Sequence, residues 1–261
     1  MTEWFLGTMG FSYKEWIGAF YPPAVNSRNY LAYYSERFDA VEVDSTFYGT
    51  PHPEQMERWA AVTPPHFKFC PKTPRDITHT QRLVNADAEM SHFINTMRLL
   101  GDKLGAILIQ FPPDFTTHEQ DKLAHFMASL PRDVRFAIEF RDRSWEDPET
   151  ADLLRQHNIA WAAADYVHLE KVVRQTADIL YLRFIGRHGQ FAEKNREQVD
   201  KTAELQQWVA QIQTHLDKVN TVYGFFNNDY AGFSPATANR FKEFVGLQAK
   251  DIGIMQQGRL F

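Results

Sequence analysis

With 261 residues, 44% apolar and 14% aromatic content, the chain has the core-forming side chains for one large domain or two small ones, and its 23% charged residues supply an ordinary solvated surface. The formal net charge of -5 provides no global attraction to nucleic acid or to an anionic membrane. No apolar run approaches the ~20 residues of a spanning helix, no basic-then-apolar leader opens the chain, and a lone Cys70 excludes intrachain disulfides and cysteine-built zinc clusters; a soluble cytoplasmic protein is expected.

In chain order, short β-rich runs alternate with longer stretches of helical period, the pattern of a parallel sheet covered by helices. The strands are expected at Phe5–Thr8, Ala40–Asp44, Phe67–Lys72, Gly105–Gln110, Arg135–Arg141, Ile159–Asp165, Ile179–Phe184 and Val222–Asn228, eight in all. Helices are expected between most of them: Asn29–Arg37, Pro53–Ala61, Ala86–Gly101, Glu119–Leu130, Pro148–His157 and Glu197–Leu216, with a last one over Pro235–Phe244. Pro53 and Pro148 suit a first helical turn, where the missing N–H costs nothing. Only Tyr166 to Asp178 separate strands six and seven, too few residues for a helix and two loops, so a degenerate crossover is expected there. No repeat, low-complexity tract or linker divides the chain, which reads as one (β/α)8 TIM-type barrel over residues 1–261. The rival open doubly wound sheet would carry a Gly-rich phosphate turn after strand one, and Gly7-Thr8-Met9-Gly10 lacks the G-x-G-x-x-G spacing.

Alternate residues of a barrel strand face the interior or the helices, so charged groups should sit on the opposite parity from the large aliphatics. In strand two, Val41 and Val43 face the helices while Glu42 and Asp44 point inward; in strand five, Phe136, Ile138 and Phe140 oppose Ala137, Glu139 and Arg141. Gln110 opposes Ile107 and Ile109, Arg183 opposes Leu182 and Phe184, Lys72 and Asp165 close strands three and six, and Asn227-Asn228-Asp229 closes strand eight. Ionisable groups are costly to bury unpaired, and their concentration at C-terminal strand ends is where a barrel enzyme places its chemistry. Mutual ion pairing that merely fixes the barrel is the competing explanation for each residue taken singly. Glu139 and Asp165, on adjacent strands, are expected to act as an acid/base pair together with Glu42. Lys72 suits a proton donor, a point charge for an anion or a Schiff-base nucleophile. Arg141 and Arg183 are natural clamps for a carboxylate or phosphate.

Ten histidines show no metal-ligand spacing, and only His79 follows a strand end closely. Neither a metal nor another cofactor is expected. Cys70 reads as a buried, inert thiol. Most aromatics read as core, but Tyr48 and Trp145 follow strand-end motifs and are expected to line the pocket and stack on a sugar or base.

Dense motifs over nearly the whole length give the chain a family resemblance. They are Gly7-Thr8-Met9-Gly10-Phe11-Ser12-Tyr13 with Phe20-Tyr21-Pro22, Val41-Glu42-Val43-Asp44 with Thr46-Phe47-Tyr48, and Ile77-Thr78-His79. Further on come Gln110-Phe111-Pro112-Pro113, Ala137-Ile138-Glu139-Phe140-Arg141 with Ser144-Trp145, Tyr181-Leu182-Arg183-Phe184, and Phe226-Asn227-Asn228-Asp229-Tyr230. In these the chain resembles the domain of unknown function 72 family, the YecE-like proteins. The resemblance implies a closed or nearly closed (β/α)8 barrel with a polar pocket and no established reaction. Met9 stands where that family commonly has Ser, Asp44 where it has Asn, Cys70-Pro71 where it has small or aliphatic residues, and Ile185 where it has His.

Together these features favour an enzyme acting on a small anionic or polyhydroxylated molecule. Glu139, Asp165, Lys72 and Glu42 are its expected catalytic groups. Asp44, Tyr48, His79, Gln110, Arg141, Trp145, Arg183, Asn227, Asn228 and Asp229 are its expected binding residues. The alternatives are a barrel that binds or processes nucleic acid or its fragments, which the acidic net charge disfavours, and a non-catalytic ligand sensor. No membrane partner is expected, and the oligomeric state is left open.

Overall fold

A computed structural model describes residues 2–252; residue 1 and residues 253–261 of the expected 1–261 unit lie outside the described residues. Eight parallel strands form one sheet in the order β3-β2-β1-β8-β7-β6-β5-β4. They are β1 (Glu3–Met9), β2 (Ala40–Val43), β3 (Lys68–Pro71), β4 (Ile107–Gln110), β5 (Phe136–Glu139), β6 (Ala160–Asp165), β7 (Ile179–Phe184) and β8 (Thr221–Phe226). The two end strands, β3 and β4, approach each other through isolated parallel bridges at Phe69 with Leu104 and Lys72 with Leu108. The amides of Gly105 and Thr73 donate to the carbonyls of Phe69 and Leu108, each at 2.8 Å, and bring the sheet round into a nearly closed barrel. This is the (β/α)8 architecture that the strand count predicts.

The helical layer comprises α1 (Tyr30–Ser35), α2 (Pro53–Val62), α3 (Asp87–Met97), α4 (Gln120–Ser129), α5 (Pro148–Gln156), α6 (Thr202–Gln213), α7 (Asn228–Ala231) and α8 (Ser234–Phe244). Pro53 and Pro148 open α2 and α5, and the Asp147 carboxylate caps α5 by accepting from the Glu149 amide at 3.0 Å. Between β6 and β7 there is no helix among the described residues, as the short connection demands. The outer face of β6 is covered there by loop side chains instead, with the Arg174 guanidinium 4.6 Å above the Trp161 ring.

Strand alternation sorts side chains into two apolar layers. Leu6, Val41, Phe69, Ile107, Ile138, Leu182 and Phe226 join the helices in the larger one, where Phe184 packs edge-on against Trp208 of α6. Met9, Cys70, Leu108, Tyr181, Tyr223 and Phe225 fill the barrel itself. The filling is lopsided: β5 and β6 contribute Ala137, Ala160 and Ala162, while β7 and β8 send in Tyr181, Tyr223 and Phe225, so large rings occupy the space that small side chains leave. Gly7 belongs to the same economy of space. A Cβ there would meet the Ala40 carbonyl oxygen at 1.8 Å and the Tyr34 hydroxyl at 2.7 Å, and that hydroxyl accepts from the Thr8 amide and donates to Ala40 O, tying β1 to β2. Among the described residues, no helix is long and apolar enough to cross a membrane.

Candidate functional site

The inward parity of β2, β5 and β7 carries Glu42, Glu139 and Arg183 to one level inside the barrel, all three almost wholly buried. Arg183 is the hub. Its Nε lies 3.1 and 3.0 Å from the two Glu42 oxygens, its Nη2 is 2.7 Å from Glu42 Oε1, and its Nη1 is 2.6 Å from Glu139 Oε2. Tyr181, two residues before Arg183 and so on the same face of β7, donates its hydroxyl to Glu42 Oε2 at 2.8 Å. Arg141 closes the chain of charges by donating from Nε to Glu139 Oε1, while its guanidinium lies 4.0 Å over the Tyr166 ring. The two carboxylates are thus satisfied by the two guanidiniums, which makes their burial tolerable.

The two carboxylates differ in proton affinity. Burial pushes Glu42 above the ordinary range; Arg183 opposes that shift and the nearby Asp44 charge adds to it. Burial also works against the charge on Glu139, but Arg141, Arg183 and Lys72 overcome it and hold that carboxyl down to about 2. Arg183 stays charged because Glu139 and Glu42 outweigh the cost of its burial.

Lys72 follows the last residue of β3, above this network. Its amide is 3.3 Å from the Val43 carbonyl and 3.0 Å from Thr46 Oγ1, and the same hydroxyl lies 2.6 Å from the Lys72 carbonyl, so the root of the side chain is held by the end of β2 and the turn after it. The ammonium lies 4.2 Å from the centre of the Phe47 ring and pairs with no carboxylate among the described residues. Burial draws it below the ordinary lysine range and Arg183 adds to the shift; Asp44, Glu139 and Glu42 oppose it. His79, edge-on to Phe47 with ring centres 5.0 Å apart, is lowered to about 4 by burial and by the charges of Lys72, Arg75 and Arg141, and is therefore neutral at pH 7. Asp44, at the rim, faces Arg183 Nη2 at 3.8 Å, and its Oδ1 is buried without a hydrogen-bond partner among the described residues. Asn227 caps α7 by accepting from the Asp229 amide at 2.9 Å, and its Nδ2 lies 3.7 Å from Met9 Sδ. Gln110 is inward but donates to the carbonyl of its neighbour Phe111.

Other expected site residues lie elsewhere. Asp165 shares the parity of Trp161 and points out of the barrel, where its Oδ2 accepts from Trp208 Nε1 at 2.9 Å and Tyr230 OH at 3.0 Å while Oδ1 meets Lys171 Nζ at 2.6 Å. The expected pairing of Asp165 with Glu139 is therefore replaced by one between Glu139 and Glu42. Trp145 is fully buried, stacked on Phe140 and Phe115 with its indole N–H on the Phe115 carbonyl, on the helix-covered side of the strands rather than among the inner charges. Tyr48 is 87% exposed and turns to solvent. Asn228 is buried outside the barrel, its Oδ1 accepting from Trp16 Nε1 and from the amide and hydroxyl of Ser234. Asp229 anchors the loop after β7, accepting from the Gly189 amide at 2.9 Å with Lys194 Nζ at 3.3 Å. Tyr181, Phe47 and Tyr166 join the site unannounced. The parity that placed Arg183 also places Tyr181, whereas the two rings sit on loops where alternation gives no direction.

A nearly closed parallel barrel with a network of paired charges at the C-terminal ends of its strands defines the class: a (β/α)8 barrel protein with its polar centre on the face that such barrels use for ligands. The family model described as "Protein of unknown function DUF72" matches residues 5–259, and the chain belongs to that family. Among solved structures it is similar to a DUF72 family protein from Thermotoga maritima, at 29% identity and a TM-score of 0.78 over 94% of this chain and 99% of that one. One from Enterococcus faecalis, at 22% identity and a TM-score of 0.75, shares the fold. UPF0759 protein YunF of Bacillus subtilis is 27% identical over 87% of this chain and 90% of its own. UPF0759 protein YecE of Escherichia coli is 31% identical over 137 residues, 52% of this chain, and the match spans 48% of YecE, about half its length.

Proposed function

We propose that the protein is an enzyme acting on a small anionic or polyhydroxylated molecule held at the C-terminal mouth of the barrel. The observation that carries this reading is the donor capacity left open there. Among the described residues, Arg141 commits Nε to Glu139 and makes no hydrogen bond from either Nη, and Lys72 forms no ion pair. A planar guanidinium with a free edge and an ammonium at the same mouth suit a carboxylate or phosphate. Beneath them, Glu42 and Glu139 share one guanidinium yet are pushed apart in proton affinity, Glu42 upward by burial and Glu139 downward by its cations, the kind of separation acid/base pairs use. Asp44 faces Arg183 Nη2 at 3.8 Å and adds a negative charge at the rim, which suits a hydroxyl-bearing ligand.

The test is a thermal-shift screen with sugar acids, sugar phosphates and 2-oxo acids. A ligand at ~100 times its Kd stabilises the fold by ~2.7 kcal/mol, several degrees for a domain of this size. The expected result is a hit that Arg141→Met removes and Asp165→Asn retains. Equal binding by wild type and Arg141→Met, or silence across all three anion classes, refutes the reading.

A further inference from the structure

Lys72 stands apart from the other lysines with restricted exposure. Lys242 is buried against Asp39 at 2.8 Å, Lys201 meets Glu204 at 2.9 Å, Lys194 meets Asp229 at 3.3 Å, and Lys103 donates to the Thr63 carbonyl at 2.5 Å. Of the carboxylates whose charge reaches Lys72, Asp44 faces Arg183 Nη2 at 3.8 Å, Glu42 is taken by Arg183 and Tyr181, and Glu139 by Arg183 and Arg141. The Phe47 ring centre lies 4.2 Å from the amine, the Arg183 charge acts on it, and none of the three carboxylates forms an ion pair with it among the described residues. An ammonium so placed loses hydration without gaining a partner, a setting that favours the neutral amine. The backbone of Lys72 is held by Val43 and Thr46, so the amine projects from a fixed point.

Resting on the reading of the mouth given above, we propose that Lys72 is an amine nucleophile that forms an imine with an aldehyde or ketone carrying a carboxylate or phosphate group. The Nζ lone pair attacks the carbonyl carbon, the C–N bond forms, and the carbonyl π pair moves to oxygen, which takes a proton from solvent. Nζ gives up a proton to solvent, the carbinolamine hydroxyl is protonated and leaves as water, and the nitrogen lone pair makes the C=N bond; hydrolysis reverses each step. The open Nη edge of Arg141 holds the anionic group, which restricts the class to charged carbonyl compounds and excludes simple aldehydes.

The experiment treats the wild-type protein at neutral pH with glyoxylate, pyruvate, glyceraldehyde 3-phosphate or acetaldehyde in the presence of sodium cyanoborohydride. The reagent delivers hydride to the iminium carbon and fixes the adduct as a secondary amine, which peptide mass spectrometry locates. Burial favours the neutral amine at Lys72, so it should be labelled faster than exposed Lys14, Lys122 and Lys218. The charged reagents should outpace acetaldehyde at Lys72 only, and the faster of the oxo acids or the phosphate identifies the anion. Labelling of Lys72 no faster than of the exposed lysines, or equal labelling by acetaldehyde, overturns the imine. Lactate and glycerol 3-phosphate, which lack the carbonyl, separate the two readings. If they stabilise the protein and no adduct forms, the anion site stands and the imine falls; if they do not bind and no adduct forms, both fall. Lys72→Arg should keep their binding and abolish the adduct.

Discussion

Two buried acidic centres lie at the C-terminal ends of adjacent strands and do opposite things. Glu139 on β5 faces into the barrel and joins Glu42, Arg183 and Arg141; Asp165 on β6 faces the helices and holds Trp208, Tyr230 and Lys171. Both are satisfied, both are nearly inaccessible, and their positions along the chain look alike. Strand parity separates them. A side chain aimed into the barrel can reach a ligand at the mouth, whereas one aimed outward ties strand to helix. A buried, well-partnered carboxylate therefore identifies no active site until its direction is known.

The sharpest way to break this contrast is to remove the inner hub. Arg183→Met leaves Glu42 and Glu139 buried without their shared guanidinium and should cost about 3–5 kcal/mol in urea denaturation, with ligand binding at the mouth lost as well. A cost comparable to a surface substitution would mean that the network relaxes or is solvated.

Acid comes next. Glu139 is lowered from 4.5 to about 2 in the fold, so its contribution is present above the unfolded value and is lost as pH falls from 4.5 towards 2. His79, lowered from 6.5 to about 4, loses stability in the same direction from 6.5 down to 4, because the unfolded chain binds its proton first. Glu42 has the opposite sign: its raised proton affinity helps below the unfolded value and is lost as pH rises through the folded one. In acid-titrated unfolding, the stability gap between wild type and Glu139→Gln should narrow below pH 4.5. Parallel acid limbs would remove the assigned charge pairing.

The outer centre should respond differently. Asp165→Ala strands the Trp208 and Tyr230 donors and should cost about 2–3 kcal/mol, while leaving anion binding at the mouth intact. Lost binding at unchanged stability would erase the distinction between the two centres. The smallest effect is expected for Trp145→Phe, which keeps the stacking but loses one buried hydrogen bond, about 1 kcal/mol by calorimetry, with no change in binding.

How much of this was legible in the residues varies strand by strand. Where aliphatics alternate with charges, as in Val41-Glu42-Val43 or Phe136-Ala137-Ile138-Glu139, parity reads directly and Glu42, Glu139, Arg141 and Arg183 fall inward as expected. In β6 the run Ala160-Trp161-Ala162-Ala163-Ala164-Asp165 has alanines on both faces. Trp161, on the parity of Asp165, was the one signal that the carboxylate points outward. Trp145 followed a strand-end motif, but in three dimensions its ring completes the Phe115 and Phe140 stack and never reaches the mouth. Asn228 and Asp229 lie past the end of β8, where strand alternation no longer applies and helix capping and loop anchoring decide.

The sequence by itself determined the eight-strand rhythm, the missing helix between β6 and β7, the Pro-initiated helices and the inward parity of the charges on β2, β5 and β7. These follow from local periodicity and chain length, which act over a few residues. Only the tertiary structure decided which charges meet. That Arg183 spans Glu42 and Glu139, that Lys72 lies against Phe47 with no ion pair among the described residues, and that Asp165 belongs to α6 and α7 depend on barrel closure and on directions taken by side chains far apart in the chain. Electrostatic pairing is a property of distances in space, and no local pattern encodes those.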